Sequence, residues 1–171
     1  MSEQITLIER PVQPTLCIPK TASTMQLGKV MGPAYLAITN HLEAHGIQMS
    51  EENIPYTRYK QIDWTQTRKK GFLPLIQMMF FHKWVMDIGI PCPDSVPAKG
   101  EIKKTNLEAG KYIRTIHKGP YMKVGNTYQR ILDFAAERHL KLKNYSIEFY
   151  LNDPREVSAA ELATEVLVPV G

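Results

Sequence analysis

One helical signature occurs twice in this chain, and it constrains the fold more than any other feature. Gly32-x-x-Tyr35-x-x-Ile38 recurs as Gly125-x-x-Tyr128-x-x-Ile131. Around the first copy Leu27, Met31, Ala34, Tyr35, Ile38 and Leu42 keep the spacing of one helix face. Around the second, Val124, Tyr128, Ile131, Leu132, Ala135 and His139 do the same. Ser23 and Gln26 make a capping box ahead of the first helix, and Gly46 ends it. The match continues downstream, where Asp87-Ile88-Gly89-Ile90-Pro91 parallels Glu165-Val166-Leu167-Val168-Pro169. Further strand-like runs precede each helix, at 15–19 and 111–117, and follow it, at 55–59 and 145–151. Each half therefore reads strand–helix–strand–strand, which predicts an α+β fold of tandem, pseudo-twofold modules.

The half-modules span about 4–93 and 106–171 of a single 171-residue domain. Residues 94–105, with Pro97 and Gly100, read as a surface linker carrying a short strand near 102–105. The first half also carries an apolar insertion at 61–83 with Trp64, Phe72, Leu73, Leu75, Ile76, Met78, Met79, Phe80 and Phe81. It reads as an added helix filling core, with a lid or a homodimer contact as the alternative.

Charge argues against a nucleic-acid interface. The net charge of +4 is scattered over Arg68-Lys69-Lys70, Lys103-Lys104, Lys118 with Lys123, and Lys141 with Lys143. These read as solvated faces. No residues are left over for a helix-turn-helix, so direct DNA binding is not expected. No leader pattern opens the chain, and the apolar run at 72–81 is too short to span a bilayer. A cytoplasmic protein with no membrane partner is the expectation, with Cys17 and Cys92 as reduced thiols. His41 and His45 lie one helical turn apart without an evident third ligand, so no metal is expected, and no cofactor fingerprint is present.

Strand alternation nominates the residues that meet a ligand. In 145–151 the apolar set Tyr145, Ile147, Phe149 and Leu151 is expected under the helices, with Ser146, Glu148 and Tyr150 on the other face. In the last strand Val166, Val168 and Val170 take the apolar side, leaving Glu165 and Leu167 opposite; Asp87 and Gly89 likewise oppose Met86, Ile88 and Ile90. By the repeat, Tyr59 corresponds to Tyr150 and Thr57 to Glu148. The face away from the helices thus collects Glu148, Glu165, Asp87, Tyr59 and Tyr150. A carboxylate among aromatics is costly to desolvate, and a cation or a movable proton offsets that cost. Alternation alone would also put glutamates in solvent on any one-sided sheet.

Several of these segments carry a resemblance. Ala109-Gly110-Lys111-Tyr112 running into His117-Lys118-Gly119-Pro120-Tyr121 is similar to a strand, His-x-Gly-Pro-Tyr turn and helix start of the GyrI-like family. Ile147-Glu148-Phe149-Tyr150-Leu151-Asn152-Asp153-Pro154 resembles its Glu-x-Tyr-Leu-x-Asp-Pro strand, and Thr164-Glu165-Val166-Leu167-Val168-Pro169-Val170 its closing strand. Ile8-Glu9-Arg10-Pro11 and the strand at 87–91 also fit. The resemblance covers about residues 4–171, least well at 61–83, and extends to the effector-binding domains of AraC-type and multidrug-responsive regulators.

What it implies is one curved antiparallel sheet with helices on one face and a ligand cleft on the other. Glu148 would lie at the pocket floor and Glu165 beside it. Tyr59, Tyr112 and Tyr150 would stack on the ligand, and Leu167, Asp87 and a tryptophan, Trp84 or Trp64, would complete the lining. Regulator relatives bind bulky aromatic or cationic small molecules. Other relatives resemble hydrolases that open cyclopropane rings of DNA-alkylating compounds, where Glu148 would act as acid or base. A ligand-sensing protein with a partner such as gyrase or a regulator, and a haem protein of the similar SOUL fold, are further readings. His117 is expected to support the turn into the second helix, and Cys17 to be a small buried apolar group.

Overall fold

Both amphipathic helices form where their apolar spacing places them. In the computed structural model, which describes residues 4–67 and 82–171, α1 spans Leu27–Ala44 and buries Ala34, Ile38, His41 and Leu42. The expected Ser23–Gln26 box closes over a short 3-10 turn ahead of it, with Ser23 N donating to Gln26 Oε1 at 3.2 Å. Gly46 ends the helix at φ +78°, in the left-handed region that glycine adopts without strain. A four-residue helix, α2, lies at Trp64–Thr67, and α3 spans Val124–Glu137, burying Thr127, Ile131, Leu132 and Ala135. His139, expected at the end of that helical face, lies past the helix at φ +52°. The expected Arg68-Lys69-Lys70 cluster and the apolar residues from Phe72 to Phe81 lie outside the described residues.

Eight strands make one antiparallel sheet: β1 Thr6–Arg10, β2 Gln13–Ser23, β3 Tyr56–Lys60, β4 Lys83–Pro91, β5 Lys103–Leu107, β6 Gly110–Lys118, β7 Ser146–Tyr150 and β8 Ala163–Pro169. Their order is β1-β6-β8-β7-β3-β4-β2-β5. The duplicated units are β2-α1-β3-β4 and β6-α3-β7-β8, joined where β3 pairs with β7. Thr57 pairs with Glu148 there, and these are equivalent positions of the repeat, so the pseudo-twofold axis passes between them. The outer strands are exchanged. β1 precedes the first unit but pairs with β6 of the second, and β5 precedes the second but pairs with β2 of the first. The sheet curls into a half-barrel. No helix among the described residues is long and apolar enough to cross a membrane.

Both faces of the sheet are covered. On one, α1 packs on Leu16, Ile18, Met86, Ile88 and Ile90, and α3 packs on Ile113, Val166 and Val168. On the other, inside the curl, Tyr56, Leu107, Tyr112, Ile147, Phe149 and Leu167 form a third cluster, joined by Ile8 and Tyr145. This corrects the expected orientation of β7. Ile147 and Phe149 point into the curl, and Glu148 points toward the helices with Ser146 and Tyr150. The alternation is real, but each of its two faces is buried, so the more apolar face no longer marks the side the helices cover. Leu151 follows the strand and is exposed.

Candidate functional site

Between α1 and α3 the helix-covered face of the sheet is made by β3 and β7, which contribute Thr57, Tyr59, Ser146, Glu148 and Tyr150 to it. Glu148 is only 6% exposed. Its Oε1 accepts from Tyr128 OH of α3 at 2.8 Å and its Oε2 from Tyr150 OH at 3.2 Å. The Tyr128 hydroxyl also lies 2.9 Å from Ser146 Oγ. Across the axis, Tyr35 of α1 bonds Thr57 Oγ1 at 2.9 Å, and the Tyr59 and Tyr150 hydroxyls approach to 3.5 Å. Rings close the cluster. Tyr121 and Tyr35 stand edge-on to Tyr150, at 5.6 and 6.3 Å between centroids. Trp84 stands edge-on to Tyr59 at 5.6 Å, and Trp64 packs on Tyr128 at 5.9 Å.

Burial pushes the Glu148 carboxyl up to about 6, against the opposing pull of the Tyr128 and Tyr150 hydrogen bonds. The phenols of Tyr59 and Tyr128 are pushed upward by burial first and by the neighbouring Glu148 charge second, so they remain protonated donors. Among the described residues no cation is paired with Glu148.

The other two expected carboxylates are different. Asp87 lies on the opposite face and already holds Arg58 Nη2 at 2.7 Å and Lys60 Nζ at 2.8 Å. Glu165 holds Arg114 Nε at 2.5 Å and Arg10 Nη1 at 3.4 Å, also inside the curl. Arg10 in turn lies 5.0 Å over the Phe149 ring. These two acids are neutralised by the chain itself, and their ion pairs staple neighbouring strands.

The profile of the GyrI-like small molecule binding domain matches residues 77–171, more than half of the chain. The chain belongs to the GyrI-like family. As a GyrI-like domain it is a small-molecule-binding fold. No match was found among curated proteins. Among solved structures, the EcmrR C-terminal domain is 20% identical with a TM-score of 0.76, aligned over 100% of this chain and 99% of that one. EcmrR in its DNA complex aligns with a TM-score of 0.77 at 20% identity over 99% of this chain, which spans only 58% of that longer chain. A hydrolase encoded by lin2189 from Listeria innocua aligns at 14% identity, TM-score 0.67, over 99% and 93% of the two chains. SAV2435 bound to tetraphenylphosphonium aligns at 11% identity, TM-score 0.64, over 98% and 94%. At such identities the likeness shows the fold.

Of the residues expected to line one site, the GyrI-like sheet brings together Glu148, Tyr150, Tyr59 and Trp84. Glu165, Asp87, Tyr112 and Leu167 lie on the other side, where Tyr112 and Leu167 are core of the curl. That face carries a surface depression of about 400 Å³ lined by Arg58, Lys60, Gln61, Val85, Glu108, Asn144 and Tyr145, none of them expected ligand residues. Besides Tyr121 at its edge, the members of the cluster hidden in the sequence were Tyr35 and Tyr128. These two stand on core-facing helical positions and read as packing residues. The available signal was their recurrence, since a buried tyrosine needs a partner for its hydroxyl and here that requirement arises twice.

The other polar residues singled out in the sequence have local partners or are buried. His117 bonds Thr127 Oγ1 at 2.9 Å and Pro120 O at 3.2 Å, tying β6 to the start of α3 as expected. His41 Nε2 lies 2.8 Å from Pro97 O, and His45 Nδ1 lies 2.8 Å from His41 O. Cys17 is buried, and burial pushes its thiol up to about 11.

Proposed function

We propose that the domain binds a bulky aromatic cation in a groove between α1 and α3, with Glu148 as the counter-charge and the surrounding tyrosines and Trp84 as walls. The observation that carries this reading is a buried carboxylate held, among the described residues, only by neutral hydroxyls, while the two comparable acids are paired with arginine and lysine. A buried anion without a cation is an unfavourable arrangement, and a cationic ligand relieves it. Tyr121, 37% exposed at the edge of the cluster, is the ring best placed to move aside for entry. SAV2435, whose structure holds tetraphenylphosphonium, supports this choice of ligand class.

Tetraphenylphosphonium titration, followed through Trp84 and Trp64 fluorescence, tests the reading. Saturable binding is expected, with Glu148→Gln weakening it about thirtyfold, or ~2 kcal/mol. Equal affinity in wild type and Glu148→Gln would sink it.

A carboxyl near neutrality beside two phenols also suits proton transfer, which supports an acid–base hydrolase acting on cyclopropane-containing alkylators as the second reading. Ring-opened product, formed by wild type and not by Glu148→Gln, would separate turnover from binding.

A further inference from the structure

The groove is built twice, and its two copies differ at one residue that bears charge. β3 and β7 pair antiparallel with Thr57 opposite Glu148 and Tyr59 opposite Ser146. Under the repeat, Thr57 is the mate of Glu148, Tyr59 of Tyr150, and Tyr35 of Tyr128. Each helix tyrosine aims its hydroxyl at the same strand position of its own half, Tyr128 at Glu148 at 2.8 Å and Tyr35 at Thr57 at 2.9 Å. The first half thus has the donor that holds a carboxylate in the second half, yet its strand position carries a neutral hydroxyl, fully buried.

Directly opposed residues on one sheet face place their Cβ atoms about 5 Å apart. Two carboxylates there would have to share a proton or two positive charges. With threonine at 57, the groove floor carries one. Among the described residues no compensating acid is near, since Asp87 and Glu165 lie on the other face in ion pairs of their own.

We propose that Thr57 is the charge-selecting residue of the groove: by standing where the repeat would otherwise place a second carboxylate, it restricts the site to ligands with a single positive charge. This rests on the cation reading above and narrows it. A second positive charge on the ligand would be buried without a partner.

Two probes of nearly the same biaryl shape test this, methylphenylpyridinium with one charge and methyl viologen with two. Calorimetric titration gives the affinity ratio for each variant. Wild type should prefer the monocation by about tenfold or more, and Thr57→Val, neutral and of similar volume, should keep that preference whatever its absolute affinities. Thr57→Glu should reverse it toward the dication. The double variant Thr57→Glu/Glu148→Gln moves the single charge to the Tyr35 side and should restore monocation preference. It also serves as the test if Thr57→Glu alone does not fold. Wild type that binds both probes equally, Thr57→Glu with an unchanged ratio, or a folded double variant without monocation binding would each overturn the proposal. Failure of wild type to bind any aromatic cation would instead overturn the cation reading.

Discussion

Glu148 is the residue on which pH acts. Its carboxyl is raised from the usual 4.5 to about 6 by burial. The folded state therefore holds this proton to a higher pH than the unfolded chain does. Stability contributed by the group is greatest below about 4.5, falls as pH rises through the window to about 6, and stays lower above it. The full penalty is ~2 kcal/mol by the usual conversion. Glu148→Gln should accordingly be the more stable protein at pH 8, by up to ~2 kcal/mol in urea unfolding, with the difference vanishing in acid. Ligand binding has the opposite sign. A cation prefers the ionised carboxylate, so affinity should be constant well above pH 6 and fall about tenfold per unit below it, while Glu148→Gln shows no such slope. Isothermal titration across pH checks both limbs.

The helices and strands carry the asymmetry of the duplication. Tyr128 and Tyr35 occupy equivalent turns, but only Tyr128 stabilises a charge. Tyr128→Phe should raise the Glu148 carboxyl further and move the pH midpoint of cation binding upward. Tyr35→Phe, which loses a bond to Thr57, should leave that midpoint in place. On the opposite face, strand pairing sets a different constraint. Gly89 pairs with Tyr56, whose fully buried ring lies across it, and a Cβ at 89 would fall 2.6 Å from the ring Cζ and hydroxyl. The ring cannot swing away cheaply, because its hydroxyl is bonded to Thr15 Oγ1 at 2.7 Å. Gly89→Ala should cost roughly 1–3 kcal/mol, read as a lower urea midpoint at unchanged slope.

At the scale of the whole molecule, the exchanged strands tie the two halves together. β6 is flanked by β1, which precedes the first unit, and β7 is flanked by β3 of that unit. A fragment of residues 106–171 would leave both strands with bare edges and would uncover Tyr112, Ile147 and Phe149. Such a fragment is expected to show no cooperative urea transition by circular dichroism, whereas the full chain unfolds in one step. The same architecture places Glu148, the one buried acid without a cation among the described residues, on the axis, at the greatest distance from either open edge of the sheet.

The repeat alone determined the two units, their element order and the equivalence of Thr57 with Glu148 and Tyr59 with Tyr150, because helical and strand periodicities are local properties of a chain. Residues 148 and 150 were legible as site candidates for the same reason. Which way β7 faces was not, since a strand buried on both sides has no solvent to mark its outer face. Nor could sequence tell which acids were already neutralised. Arg58 and Lys60 reach Asp87, and Arg10 and Arg114 reach Glu165, only once strands distant in the chain lie side by side. Charge pairing is a property of tertiary neighbours, and its absence at Glu148 among the described residues is what singles out the space between the helices.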